Sequence, residues 1–547
     1  MRASLALVAL AACGSPDRGP KFRAAGSPTP REGGSLRFAT KDQVRTLDPA
    51  IEYDDFSSLP VHALFDTLVD YEPSSERDPA VGLAIVPRLA ETWQISPDGR
   101  RYTFTLRPDL VYSDGTPLVA DDIKYSLERA MTMPDSPFGQ FLAGISGAGD
   151  VLSGKAPRCK GISTPSPRQI VFTLDQPNAA FLYILTMSFT TPQRREHVAL
   201  AGDQIRRQPL GCGPFRLAAW DEGQRLVLER NPHYWDPQRV HLDSIVMIEN
   251  IPRDTQFLMF ERGELESADR LSSPDLLWVI DQPDWRPYVH RRDVLNAYGS
   301  RFNVQQKPFD DRRVRQALNY ALDKQHTIKL LNGAATPSHG LLPPGMFGRD
   351  DTLAPYPHDP AKARALLAEA GYPNGFDTDY VIMNDEEAEK LAGSLQGDLA
   401  EVGVHVHISI MSFSTYVTAL GRPDGPAFAK STWVGDYPDP TNFLDARFHS
   451  RMIAEENSNN DSFYRNPELD ALLDRARGET NRDARAAMYH RAERILYDDA
   501  PWIWDYHQMM TEVTQPYLMG YAPHPIWLRD YSSAWLDVGP DGTPVPR

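Results

Sequence analysis

The sequence predicts an α/β protein built as more than one lobe. Three observations lead there. Strand-like alternation and helix-like apolar stripes are mixed along the whole chain rather than segregated. The chain has 547 residues, 41% of them hydrophobic, which is more than a single core absorbs. Turn and cap signals recur between the periodic segments, with no internal repeat of fixed period.

The elements follow in order. Arg2 precedes a short apolar run, residues 3–12, too short to span a bilayer and read as a secretion signal. Leu10-Ala11-Ala12-Cys13 resembles the bacterial lipobox, in which the cysteine is lipidated and becomes the mature N-terminus; the alternative is an ordinary cleaved signal with Cys13 incidental. Residues 13–32 are rich in Pro, Gly, Ser and charge and read as a flexible tether. Residues 33–39 are a strand candidate. Tyr102-Thr103-Phe104-Thr105-Leu106 alternates as a half-buried strand between the turns Pro97-Asp98-Gly99 and Ser113-Asp114-Gly115. Residues 120–131 read as a helix, and 215–228 as a hairpin turning near Asp221-Glu222-Gly223.

The second half is more helical. Asp310-Asp311 precede an apolar stripe of Val314, Ala317, Leu318, Ala321 and Leu322, and the acids suit a helix N-terminus. Asp359 before Pro360, and Asn466 before Pro467, are N-cap signals; Gly371 and Pro373 stop the first of these helices. Val404-His405-Val406-His407-Ile408 alternates as a strand.

Charge and motifs exclude several classes. The formal net charge is −17, so a nucleic acid or an acidic membrane surface would be repelled, while cationic and zwitterionic partners stay open. Cys159 and Cys212 read equally as one disulfide or as two buried thiols. The chain holds no H-E-x-x-H, P-loop, G-x-S-x-G or EF-hand pattern, so neither an enzyme nor a cofactor is indicated. His405 and His407 share a strand face, but that face reads as solvent-exposed rather than metal-binding.

The stretch WVGDYPDPTNFLD, from Trp433 to Asp445, holds three aspartates and two prolines. It could be a carboxylate pair, a calcium loop or a socket for a positive charge. No glycine turn or bidentate glutamate follows at calcium-loop spacing, and nothing selects an acid and a base. Asp436 reads either as a charge partner for a ligand or as a turn aspartate satisfying its own backbone before Pro438.

Several segments together resemble the family 5 extracellular solute-binding proteins, the dipeptide- and oligopeptide-binding components of ABC importers. They are Pro87-Arg88-Leu89-Ala90-Glu91-Thr92-Trp93 with Ser96-Pro97-Asp98-Gly99, Tyr112-Ser113-Asp114-Gly115-Thr116-Pro117, and Gly211-Cys212-Gly213-Pro214-Phe215. Pro308-Phe309-Asp310-Asp311 with Val314-Arg315-Gln316-Ala317-Leu318, and residues 359–375, continue the series. Tyr112 and Cys212 stand where the family usually has tryptophan and threonine. The resemblance implies a two-lobed periplasmic binding protein of class II type, with an extra subdomain in the first lobe and a two-strand hinge. It implies lobe I from 33–68, 203–299 and 506–547, the extra subdomain at 69–202, lobe II at 300–505, and a lipoprotein signal at 1–12.

In peptide-binding members an aspartate of a W-x-x-D stretch anchors the peptide's α-ammonium, and Trp433-Val434-Gly435-Asp436 stands in that place. The implied ligand-binding set is Asp436, Trp433, Tyr437 and Tyr53, the last because it follows Leu47-Asp48-Pro49, where the first lobe approaches the cleft. The implied function is capture of short peptides in an interlobe cleft by a monomeric, lipid-anchored envelope protein, and delivery to ABC permease subunits. The alternatives are a non-peptide solute on the same fold (metal chelate, haem, oligosaccharide or opine) and a ligand-dependent sensor subunit.

Overall fold

The computed structural model describes residues 19–73, 83–271 and 273–547. The signal at 1–12 and Cys13 lie outside the described residues. Three sheets organise the molecule. The first has four strands in the order Ser35–Ala39, Ser244–Ile248, Arg225–Arg230, Phe215–Asp221; its first pair is parallel and the others antiparallel. Leu36, Phe38, Leu226, Leu228, Ile245 and Met247 alternate into one core, which the C-terminal Tyr517 and Tyr531 complete.

The second sheet is antiparallel, in the order Ala90–Ile95, Arg101–Leu106, Gln169–Thr173, Ile162–Ser166. The helix Ala120–Thr132 lays Ile123 and Leu127 into its core beside Phe104 and Phe172. Gly211 and Gly213 let this unit's return chain pass against residue 64: a Cβ at Gly211 would stand 1.9 Å from the Leu64 carbonyl oxygen. Their role is close backbone approach.

The third sheet has eight strands. Its main order is Ser267–Asp269, Trp502–Thr514, Asn296–Phe302, Phe428–Val434, Phe376–Met383, Val404–Met411. The 13-residue strand Trp502–Thr514 joins two bodies. Its first half pairs with Asn296–Phe302 and gives Ile503 to a core with Phe302, Phe309 and Phe428. Its second half pairs with Val289–Asp293 and Ser267–Asp269 and gives Val513 to a core with Phe257, Phe260 and Trp285. At roughly 3.3 Å per residue, one extended segment thus links the cores of two lobes. The aromatic run Trp502, Trp504 and Tyr506 is buried along it. The fold is the two-lobed α/β binding-protein architecture.

The cap signals are realised. Asp311 accepts from the Arg313 amide at 2.8 Å, Asp359 from Lys362 at 2.9 Å, and Asn466 from Glu468 at 3.0 Å and Leu469 at 3.2 Å. The tether expectation needs correction over part of its length. Phe22–Arg23 pairs with Val545–Pro546 as a short two-stranded sheet. The Phe22 ring meets Tyr517 edge-on at 6.0 Å, and the Asp537 carboxylate accepts from the Gly26 amide at 2.7 Å. An aromatic anchor and a buried carboxylate outweigh the Pro and Gly content there. Cys159 and Cys212 are separate buried thiols. His405 and His407 lie on an exposed face, and among the described residues no helix is long and apolar enough to cross a membrane.

Candidate functional site

The strand Phe428–Val434 ends at the stretch that holds the three aspartates. Gly435 follows, and its amide donates to the Leu295 carbonyl at 2.6 Å. A Cβ at Gly435 would sit 2.6 Å from the Phe443 ring, so any larger residue here would have to displace that ring. Asn442 then clamps the loop from both sides. Its Oδ1 accepts from the Asp436 amide at 2.9 Å, and its Nδ2 donates to Asp436 Oδ2 at 2.7 Å.

The three acids separate by their partners. Asp439 is buried and receives Arg485 in a two-pronged pair at 2.7 and 2.8 Å. It also accepts from the Thr441 amide at 3.0 Å, as a turn aspartate does. Asp445 receives Arg477 at 2.5 Å and Arg451 at 2.9 Å. Asp436 has no cationic partner among the described residues. Its donors are neutral: Asn442, and the Tyr53 hydroxyl at 2.6 Å from Oδ1. Burial pushes the Asp436 carboxyl above the ordinary carboxylate value, and the bonds from Tyr53 and Asn442 oppose that rise.

Tyr53 reaches this carboxylate from 383 positions away in sequence. It sits just ahead of the helix Asp55–Leu64, whose N-cap Asp54 accepts from the Phe56 and Ser57 amides at 3.1 and 2.9 Å. Glu52 on its other side is held by the Ser58 and Ser188 hydroxyls. The Tyr53 ring packs edge-on against Phe138 at 5.4 Å, yet the residue stays 51% exposed. The helix behind it also lines a solvent-open concavity of about 530 Å³ with Arg253, Arg270 and Trp527.

The other two expected residues occupy different places. Tyr437 is buried and inserts into the core of the antiparallel-sheet unit, edge-on to Phe141 at 6.3 Å. Trp433 is half-buried against the second lobe's core, and the Arg447 guanidinium stands 5.1 Å from the centre of its ring. One of its faces is therefore already engaged by an internal cation. The structure thus brings Asp436 and Tyr53 together, and sets Tyr437 and Trp433 behind them. Sequence reading missed Asn442; its only local signal is an amide side chain six positions after the aspartate.

Residues 84–454 match the family model described as bacterial extracellular solute-binding proteins, family 5 Middle. A haem-binding protein A of Haemophilus influenzae is 30% identical, the match covering 96% of this chain and 97% of that one. A di/tripeptide-binding protein of Pseudomonas aeruginosa is 26% identical over 98% and 99% of the two chains. A dipeptide-binding protein of Escherichia coli is 28% identical over 88% and 90%. Among solved structures, an oligopeptide-binding protein of clavulanic acid biosynthesis superposes with a TM-score of 0.85 at 26% identity, covering 95% of this chain and 99% of that one. A Helicobacter pylori periplasmic binding protein in complex with the peptide STSA gives 0.78 at 26% identity, covering 93% and 99%. On its fold, and on a family match that spans most of its length, the chain is a member of the bacterial extracellular solute-binding proteins, family 5.

Proposed function

We propose that the protein captures short peptides in the cleft between its lobes and delivers them to the permease of an ABC importer, with Asp436 holding the peptide's α-ammonium. The carrying observation is the contrast among the three acids. Asp439 and Asp445 are neutralised by arginines, whereas Asp436 is fixed, partly buried and served by neutral donors alone. A desolvated carboxylate gains most from a cation brought to it. An ammonium does the same from its side, so a peptide terminus and this socket satisfy one another. Tyr53 gives the first lobe its own grip on that carboxylate, which couples the contact to lobe closure.

The rest of the ligand would run toward the concavity beside Asp55, Phe56 and Arg270. Backbone pairing would meet its amides without reading side chains. Lobe I is assigned to 33–68, 203–299 and 506–547, the extra subdomain to 69–202, and lobe II to 300–505. Trp433 and Tyr437 support the loop from behind. Lipidation at Cys13, after removal of 1–12, would hold the protein at the envelope as a monomer.

The relative named for haem binding favours a second reading, a non-peptide solute. Haem carries carboxylates and no ammonium, so an unpaired carboxylate is the wrong polarity for its charged edge. An amine-bearing solute fits. The reading is tested by native mass spectrometry of the protein purified from its own host. Retained masses forming a peptide series support it. A single retained porphyrin or sugar mass contradicts it.

A further inference from the structure

The strand Asn296–Phe302 carries Arg301 into the interior of the second lobe. Its register places Arg301 on the sheet face shared with Ser431, Trp433, Trp502 and Trp504. Arg301 is 0% exposed, and its Nε, Nη1 and Nη2 all lack a hydrogen-bond acceptor among the described residues. Buried guanidinium groups are ordinarily paired and hydrogen-bonded, because stripping water from an unpaired charge is expensive.

The charges around it do not balance. Among the described residues Asp461 is the carboxylate that acts on Arg301, the Tyr416 hydroxyl adds a weaker attraction, and Arg447 acts as a like charge. That carboxylate is already engaged: Arg447 Nη2 meets Asp461 Oδ2 at 2.6 Å. The Ser431 hydroxyl lies between them, 3.2 Å from Arg447 Nη2 and 3.5 Å from Asp461 Oδ2. One carboxylate thus faces two guanidiniums in a buried layer, and among the described residues it is ion-paired with Arg447 alone. Further donors on this face are also unpaired: Arg447 Nε and the indole N–H groups of Trp433 and Trp504. Against these stands one free acceptor of the cluster, Asp461 Oδ1. A water molecule could satisfy hydrogen bonds here, but it would leave the surplus positive charge in place.

We infer that this layer binds one small monovalent anion of halide size, with Arg301 as its principal ligand and Arg447 as the second positive group. Complete burial restricts the occupant to something compact. The site lies in the second lobe's interior, under the strand that leads to Asp436, and does not depend on what the cleft binds.

The test uses the full-length protein dialysed into sodium gluconate, then titrated with sodium chloride or bromide at constant ionic strength. An anion that binds the folded state alone raises Tm by about 3–6 °C per tenfold excess over its Kd, for a lobe of this size. Crystals grown with bromide should show an anomalous peak beside Arg301. Arg301→Met should abolish both the peak and the halide dependence. A flat Tm at constant ionic strength, with water alone beside Arg301 in the bromide crystals, would overturn the inference. So would a halide effect that persists undiminished in Arg301→Met. Should that variant fail to fold, the bromide diffraction on the unaltered protein decides the question.

Discussion

The Tyr53 hydroxyl donates to Asp436 Oδ1 at 2.6 Å, joining the segment ahead of the helix Asp55–Leu64 to the loop that follows the strand Phe428–Val434. The bond holds the carboxylate between two segments 383 positions apart in sequence. Replacing Tyr53 with Phe removes the donor and keeps the ring against Phe138. A hydrogen bond to a charged group contributes about 1.5–3 kcal/mol. Tyr53→Phe should therefore weaken peptide affinity by that amount, read by calorimetry. Thermal stability of the unliganded protein should move little, because the residue is half exposed.

Asp439 offers the opposite case. It lies three positions after Asp436, but its charge is spent on Arg485 in a buried pair. Breaking a buried pair by removing one partner costs about 3–5 kcal/mol. Asp439→Asn should lower Tm markedly, while peptide affinity measured at a temperature where the variant is folded stays near the unaltered value. An affinity loss as large as that of an Asp436 variant would show that the two acids act together on the ligand.

Peptide affinity should depend on acid pH. Burial raises the Asp436 carboxyl above the ordinary carboxylate value. The ammonium grip needs the charged form, so affinity is full above the raised value and falls as pH drops through it, approaching about tenfold per pH unit. Titration calorimetry between pH 4 and 8 checks this. An affinity that stays level across the range contradicts a carboxylate–ammonium contact.

Glu52 gives a stability prediction with a defined sign. Burial pushes its carboxyl up to about 7, against bonds from Ser188 and Ser58. A folded value raised above the ordinary one means the native state binds the extra proton. The stability this provides is complete below the ordinary range and is lost as pH rises from about 4.5 to about 7. Glu52→Gln should stabilise the protein by on the order of 2–3 kcal/mol at pH 8 relative to the unaltered chain, and by little at pH 4. Thermal melts at the two pH values measure the difference.

Much of the fold is legible because its signals are local. Asp311, Asp359 and Asn466 cap helices as their spacing indicates, and the strand Arg101–Leu106 alternates Tyr102, Phe104 and Leu106 inward. The site is only half legible. Asp436 stands out through its motif, and Tyr53 through its approach to the cleft. What distinguishes Asp436 from Asp439 and Asp445 is set by Arg485, Arg477 and Arg451. Two of these partners lie more than thirty positions downstream, and only folding brings them to their acids. The docking of Phe22 on the C-terminal strand has the same origin: a local Pro- and Gly-rich composition is overridden by a contact more than five hundred positions away. Arg301 gives no sequence signal of its burial, since one arginine within a seven-residue strand reads as a solvent-facing position.

The central claim is most directly tested by a calorimetric cycle on Asp436. Affinity is measured for a short peptide and its N-acetylated form, each against the unaltered protein and against Asp436→Asn. Removing either charge should cost about 2–5 kcal/mol, and removing both should cost little more than removing one. Losses that simply add, or an affinity indifferent to both changes, would place the ammonium elsewhere and contradict the account.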